Sequence, residues 1–163
     1  MKRTVIILSL IFALAIALSV SIPTLALDGT DTTTVTGSVP LTITVTAPAT
    51  VALETLTIDT PKESAAQTVT VACNKAGWTL TAIEDGVTPD GKMNAGSDIL
   101  TNVCQIKGGD QATYVGLDAA RTLETSGSKG TTPISTIYFA QTATAADTAG
   151  DYSITVLFTG TIN

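Results

Sequence analysis

The chain of 163 residues contains no histidine, only two cysteines and one tryptophan, and 13% charged residues. Without histidine, the usual general base at neutral pH is missing, and neither a Ser-His nor a Cys-His arrangement can form. Two cysteines alone do not fill a tetrahedral zinc site. We therefore expect no catalytic residues, no metal and no cofactor, and the sequence predicts a protein that is not an enzyme.

Two weaker patterns are interpreted as turns. Residues 126–129, Ser-Gly-Ser-Lys, fit the Ser-x-x-Lys spacing of acylating enzymes, but that motif needs the start of a helix and here lies in a Gly/Ser loop. A second loop concentrates oxygen-bearing side chains, namely Asp85, Asp90, Asn94 and Asp98. It lacks the spacing of a calcium-binding EF-hand and carries Lys92 in its middle.

The amino-terminal segment is typical of a secretory signal peptide. Lys2 and Arg3 precede an uncharged apolar run from Val5 to Ile22, and small residues lead to Ala26. This pattern predicts a signal peptide over residues 1–26 with cleavage after Ala26. The protein is then secreted, extracellular or at the cell surface, with no membrane contact after cleavage. An uncleaved membrane anchor is the alternative, since the run reaches the length that spans a bilayer.

The remaining chain has the size of one domain and an acidic character. The formal net charge is −6, and two of the eight basic residues lie in the predicted signal peptide. Because polyanions repel an acidic surface, nucleic acid is not expected as a partner. We divide the chain into residues 1–26, a flexible lead over residues 27–34, and a single domain over residues 35–163.

Alternation of apolar and polar residues predicts strands throughout this domain. It is most regular over Val35–Ala47 and near the carboxyl terminus, while Thr68–Ile83 is typical of a hairpin that turns around Asn74 and Gly77. No helical stripe is convincing; residues 118–132 are expected to form a loop. The fold class is all-β, an antiparallel β-sandwich of the Ig-like or Greek-key type with about eight or nine strands.

The two cysteines, Cys73 and Cys104, predict a disulfide, because an even pair in an exported chain is usually oxidised. Two free thiols are the alternative. Closing this loop would stabilise the fold by roughly 3–4 kcal/mol in the chain-entropy model.

Two segments resemble the WxL surface domain of Gram-positive bacteria. Gly77-Trp78-Thr79-Leu80-Thr81 is similar to its first Trp-x-Leu motif, and residues 149–156, Ala-Gly-Asp-Tyr-Ser-Ile-Thr-Val, are similar to its closing turn and last strand. Phe158 stands where the family has its second tryptophan. The resemblance implies an exported β-sandwich, held non-covalently at the cell wall, with peptidoglycan as partner. It implies Trp78, Leu80 and Phe158 as binding residues.

Two functions follow as expectations. The first is a secreted, non-enzymatic surface module, wall-associated or adhesive, that binds cell-wall glycan or other surface proteins. The alternative is a filament or pilus subunit that assembles with itself by donating the strand of residues 35–47 to a neighbour. Against this stands the simpler expectation that Val35–Ala47 pairs within its own domain.

Overall fold

The structure is a computed structural model, and it describes residues 30–86 and 89–163. The predicted signal peptide lies outside the described residues. The chain divides into two units between Ser38 and Val39. Residues 30–38 have no regular secondary structure and are exposed. The strands described below belong to the second unit, Val39–Asn163.

Strands dominate the second unit, as its Thr-rich alternating sequence requires. Eleven are described: β1 (Ile43–Thr46), β2 (Lys62–Glu63), β3 (Gln67–Cys73), β4 (Trp78–Glu84), β5 (Lys92–Ala95), β6 (Asp98–Val103), β7 (Gln105–Gly108), β8 (Gln111–Gly116), β9 (Arg121–Gly127), β10 (Gly130–Gln141) and β11 (Val156–Ile162). The described residues contain no α-helix, only a 3₁₀ turn at Pro89–Gly91. No helix of the described residues is long and apolar enough to cross a membrane.

The strands form two main sheets and a hairpin, and the strand pairs are antiparallel. The larger sheet has the order β1-β3-β10-β7-β8, with β2 paired to the end of β10. The smaller sheet has the order β11-β4-β9, and β5 pairs with β6. The prediction of an all-β, antiparallel β-sandwich is confirmed. It has more strands than expected, since β5 lies in the acidic loop and β9 in residues 118–132, which were both expected to be loops.

The core lies between the inward faces of the two main sheets. Alternate residues of β3 and β4 supply fully buried side chains, among them Val69, Val71, Trp78 and Leu80. β10 adds Ile137, and β9 adds Leu123. The period of two along each strand therefore sorts side chains between core and solvent, as the sequence predicted.

The predicted hairpin over Thr68–Ile83 is wrong, although both of its strands exist. β3 pairs with β1 and β10 in the larger sheet, whereas β4 pairs with β11 and β9 in the smaller one. The turn between them crosses from one sheet to the other. Thr42, the residue before β1 of the larger sheet, donates its N–H to Asn74 Oδ1 at 3.0 Å, and the Gly77 N–H donates to the carbonyl oxygen of Gly127 in the smaller sheet at 2.8 Å. Each end of the turn is thus fixed to a different sheet.

The structure also differs from the predictions for residues 35–47 and for residues 118–132. Of Val35–Ala47, only Ile43–Thr46 forms a strand, and it pairs with β3 of its own sandwich. Thr30–Leu41 lies in no strand; Val35 and Val39 are 91% and 86% exposed. Residues 121–127, expected within a loop, form β9 because Leu123 has a buried place in the core beside β4.

Candidate functional site

Trp78 and Leu80, expected as binding residues, face the core from β4. Both side chains are 0% exposed. The Trp78 indole Nε1–H donates to the carbonyl oxygen of Ser128 at 2.9 Å, which satisfies its polar group inside the protein. In this conformation neither side chain offers surface to a ligand, so their role here is to hold the sandwich together.

The Trp78 ring is held against a glycine of the neighbouring strand. Gly127 pairs with Trp78, and a Cβ at Gly127 would lie 2.0 Å from the ring. Only a residue without a side chain allows this contact. The Ser-x-x-Lys pattern of residues 126–129 is therefore the end of β9 and the turn into β10, where it packs on the tryptophan.

Phe158, the third expected binding residue, lies on β11 and is partly buried. It alternates with exposed Leu157 and Thr159, so its ring points toward the core. β11 is the first strand of the smaller sheet and pairs with β4 along one side only. Among the described residues, no strand pairs with its other side, which we call the open edge of β11.

A groove of about 880 Å³ runs beside this edge. Residues 47–56, which form no strand, make one wall, and residues 147–156 together with Phe158 make the other. Met93, Leu100 and Phe139 from the core line it as well. Val51, Leu53, Tyr152 and Ile154 are only partly buried, so the groove exposes apolar surface next to unpaired backbone.

Cys73 and Cys104 are free thiols, and the predicted disulfide is wrong. Cys73 pairs with Gly130 at the beginning of β10. Cys104 precedes Gln105, which pairs with Ala140 near the end of β10. At about 3.3 Å per strand residue, roughly ten residues separate these ends by about 30 Å, whereas a disulfide needs Cα atoms within about 7 Å. The even count of cysteines carried no information about their places in the sheet.

Both thiols are buried. Burial raises the pKa of the Cys104 thiol to about 12, against a smaller opposing effect of a backbone hydrogen bond from Gln105. Since the thiolate is the reactive form, Cys104 is chemically inert at neutral pH.

The outer face of the larger sheet carries a cluster that we call the tyrosine ladder, formed by Tyr114, Lys107, Tyr138 and Glu63. Lys107 on β7 pairs directly with Tyr138 on β10. Its Nζ lies 4.3 Å from the ring centroid of Tyr114 and 4.7 Å from that of Tyr138. Glu63 accepts hydrogen bonds from Lys107 Nζ at 2.6 Å and from the Tyr114 hydroxyl. Four strands, β2, β10, β7 and β8, therefore contribute to one surface.

The ladder is electrostatically coupled. The hydrogen bond from Lys107, followed by that from Tyr114, lowers the pKa of the Glu63 carboxyl. The same hydrogen bond to Glu63 is the main reason that the pKa of Lys107 is raised. Burial first, and then the hydrogen bond to Glu63, raise the pKa of Tyr114 to about 12. At neutral pH the ladder thus holds the ion pair of Lys107 and Glu63 beside the neutral phenol of Tyr114.

Metal binding has no support in the described part of the chain. No group of three or more Cys, Asp or Glu residues there is arranged to hold an ion. Of the four side chains in the acidic loop, Asn94 is on β5 and Asp98 begins β6, so a hairpin occupies part of what was expected to be irregular.

Comparisons with known proteins do not assign the chain to a family. No protein-family model matches it, and a search of curated proteins gives no match either. The resemblance to WxL domains accordingly rests on the residues quoted above.

Sequence reasoning missed both the groove and the tyrosine ladder. Alternation places Tyr138 on the opposite face from Phe139, which is a signal that the tyrosine faces solvent. The ion pair between Glu63 and Lys107 forms because β2 and β7 pair with opposite sides of β10. No local pattern encodes this pairing.

Proposed function

We propose that this protein is a secreted, non-enzymatic module of the cell surface that is wall-associated or adhesive, similar in function to WxL domains. Its partner is cell-wall glycan or another surface protein. The observation that carries this proposal is the tyrosine ladder.

The ladder supplies what protein surfaces use to bind sugars. Tyr114 and Tyr138 are partly exposed aromatic rings, and aromatic rings pack against the apolar faces of ligands. Lys107 brings donors and Glu63 brings acceptors to the same place. Their salt bridge leaves the cluster nearly neutral on a protein whose net charge is −6, so an acidic wall polymer is repelled less here than elsewhere.

A pull-down on purified peptidoglycan tests the proposal. We expect the double variant Lys107→Ala/Tyr114→Ala to lose most of the bound fraction, because both the ring and the donor are removed. The matched control is Lys129→Ala, which deletes one positive charge at an exposed site in the β9–β10 turn. Equal retention of all three proteins would contradict binding through the ladder. Trp78→Ala is unsuitable here because it alters the core.

The second candidate function is the extracellular filament subunit that assembles by strand donation. Two observations favour it: the open edge of β11, and the exposed residues that precede β1. Since Ile43–Thr46 pairs within its own sandwich, donation is restricted to residues before Thr42.

A further inference from the structure

The open edge of β11 presents backbone groups that pair with no other described strand, and it does so in a defined pattern. Asp85 N–H donates to Thr155 O at 3.1 Å, and Ser153 exchanges both main-chain bonds with Asn94 at 2.9 Å. In an antiparallel pair, successive residues direct their N–H and C=O groups to opposite sides. Residues 153, 155, 157 and 159 therefore face the sheet. Ile154, Val156, Phe158 and Gly160 direct their N–H and C=O groups to the open edge.

Ile154, Val156 and Phe158 have their side chains on the core side, where the Cα of Gly160 is covered by Ile43 and Val45 of β1. Ile154, Val156 and Phe158 are partly buried, and they alternate with exposed Thr155, Leu157 and Thr159. Ile154, Val156 and Phe158 line the groove, whose opposite wall includes Val51 and Leu53. An extended segment placed here would gain main-chain hydrogen bonds and cover apolar surface at the same time, which is the basis of recognition by strand addition.

The chain carries a segment of matching pattern, which we call the arm and define as residues 34–41. Val35, Gly37, Val39 and Leu41 alternate with polar residues or proline. Val35, Val39 and Leu41 are 91%, 86% and 55% exposed, and no residue of the arm is in a strand. Residues 35–41 match the length of Ile154–Gly160.

We infer that the groove accepts the arm of a second copy of this chain, laid antiparallel to β11. This deepens the second candidate function and rests on it, by naming the donor, the acceptor and their orientation.

A second copy is favoured because the arm is attached at the far end of β1 from the groove. Asn74 Nδ2 donates to Pro40 O at 2.7 Å, and Thr42 N–H donates to Asn74 Oδ1 at 3.0 Å. These bonds fix Pro40 and Thr42 at the Cys73 end of β1, whereas the groove begins at Ala47 beyond the other end. Pro40 and Leu41 cannot leave that end without breaking both bonds.

Pro40 selects the antiparallel direction. Residues directly opposite each other across two strands share a face. In the antiparallel direction, the odd-numbered arm residues direct their side chains toward the core. The same odd-numbered residues direct their N–H and C=O groups toward β11. Pro40 then directs its missing N–H away from β11, and no ladder hydrogen bond is lost. In the parallel direction the even-numbered residues would face β11, and Pro40 would interrupt the ladder.

Side-chain size then selects a register. Placing Val39 opposite Val156 brings Gly37 opposite Phe158 and Val35 opposite Gly160. Gly37 then leaves room for the Phe158 ring, as complementary packing of large and small residues requires, while Val35 lies beside Gly160, which Ile43 and Val45 of β1 cover.

Charge is compatible with this occupant. The groove is lined by Glu54, Asp147 and Asp151 and by no lysine or arginine. Residues 32–53 carry no charge at all. An acidic peptide would be repelled, whereas the arm is not.

Sedimentation of the full chain over a concentration series tests the inference. We expect concentration-dependent assembly that is lost in Val35→Asp/Val39→Asp, because two carboxylates would have to enter the apolar groove. The matched control, Thr36→Asp/Ser38→Asp, places the same charges in the same arm on the outward face and should still assemble. A strictly monomeric wild-type chain, or equal assembly of both variants, would overturn the inference. No glycan is present in this measurement, so its failure leaves wall binding untouched.

Cross-linking between copies tests direction and register. In the stated register Thr34 lies opposite Thr161, at a Cβ separation suited to a disulfide. A mixture of Thr34→Cys and Thr161→Cys chains should form linked heterodimers on oxidation, while Thr34→Cys mixed with Ser153→Cys should not. The native thiols are buried and do not interfere. Preferential linkage to Ser153→Cys, or no linkage to either variant, would refute the antiparallel placement.

Discussion

Single side chains explain why this strand-rich chain needs no cross-link. Trp78 is fully buried at the beginning of β4, the middle strand of the smaller sheet, and its one polar atom is satisfied by Ser128 O at 2.9 Å. Gly127 is its necessary partner, since any side chain there would collide with the ring. The residue that resembles a binding motif is therefore fully committed to packing.

Trp78→Ala is expected to lower the free energy of unfolding by about 3–5 kcal/mol, because it leaves a large cavity in the core. Trp78→Phe should cost less, since it keeps most of the apolar contact and loses the hydrogen bond to Ser128. Urea denaturation followed by circular dichroism measures both. A loss below about 1 kcal/mol for Trp78→Ala would be incompatible with full burial of the ring.

The two cysteines make a second prediction at this scale. We expect no alkylation of the native protein by iodoacetamide at neutral pH, because both thiols are buried. In denaturant without any reductant, two alkyl groups should be added, which intact-mass spectrometry counts directly. An unmodified mass in denaturant would show that the thiols are oxidised and that the structure described above is not the one adopted.

At the scale of elements, alternation predicted strands and faces but not partners. The strand character of β3 and β4 follows from their own residues, which are read locally with a period of two. Their assignment to different sheets depends on Thr42 and Gly127, which lie far away in sequence and hold the two ends of the turn. Strand pairing is a non-local property, so the turn signal at Asn74 and Gly77 was compatible with either arrangement.

The tyrosine ladder joins four strands, and its carboxylate makes their association dependent on pH. The lowered pKa of Glu63 means that folding favours the ionised form. The contribution of ionised Glu63 to the stability of the fold is thus fully present above pH 4.5, the usual pKa of the group. It is lost as the pH falls through the lowered pKa.

We expect wild type to melt at a higher temperature than Glu63→Gln at neutral pH, and this difference to disappear in acid. The control Glu54→Gln changes an exposed carboxylate and should show no comparable pH-dependent difference. Melting curves by circular dichroism between pH 7 and pH 2 provide the measurement. A difference that stays constant with pH would show that the ion pair with Lys107 does not stabilise the fold.

For the whole molecule, the alternation of apolar and polar residues, in a chain with abundant Thr and scarce Glu, was sufficient to predict an all-β sandwich. It was not sufficient to locate a site. The groove exists because residues 47–56 leave the larger sheet after β1 while β11 remains an edge strand. The absence of a strand partner for residues 47–56 and for the open edge of β11 is a non-local property, which the local sequence does not reveal.

Deleting residues 30–38 from the full chain should leave the melting temperature of a dilute, unassembled sample unchanged within about 1 °C, because these residues are exposed and form no strand. Deleting Ile43–Thr46 should destabilise it strongly, because β1 pairs with β3 along its whole length. Differential scanning calorimetry distinguishes the two. A large effect of the first deletion would mean that residues 30–38 contribute to the stability of the sandwich.

The two free thiols, far apart in one sheet, have a consequence for how the protein matures. Its fold is complete without any electron acceptor, so neither glutathione nor a thiol oxidoreductase enters the folding equilibrium. The chain can therefore reach its native state in a reducing solution, whereas a disulfide formed before folding would hold the two cysteines too close together for that state.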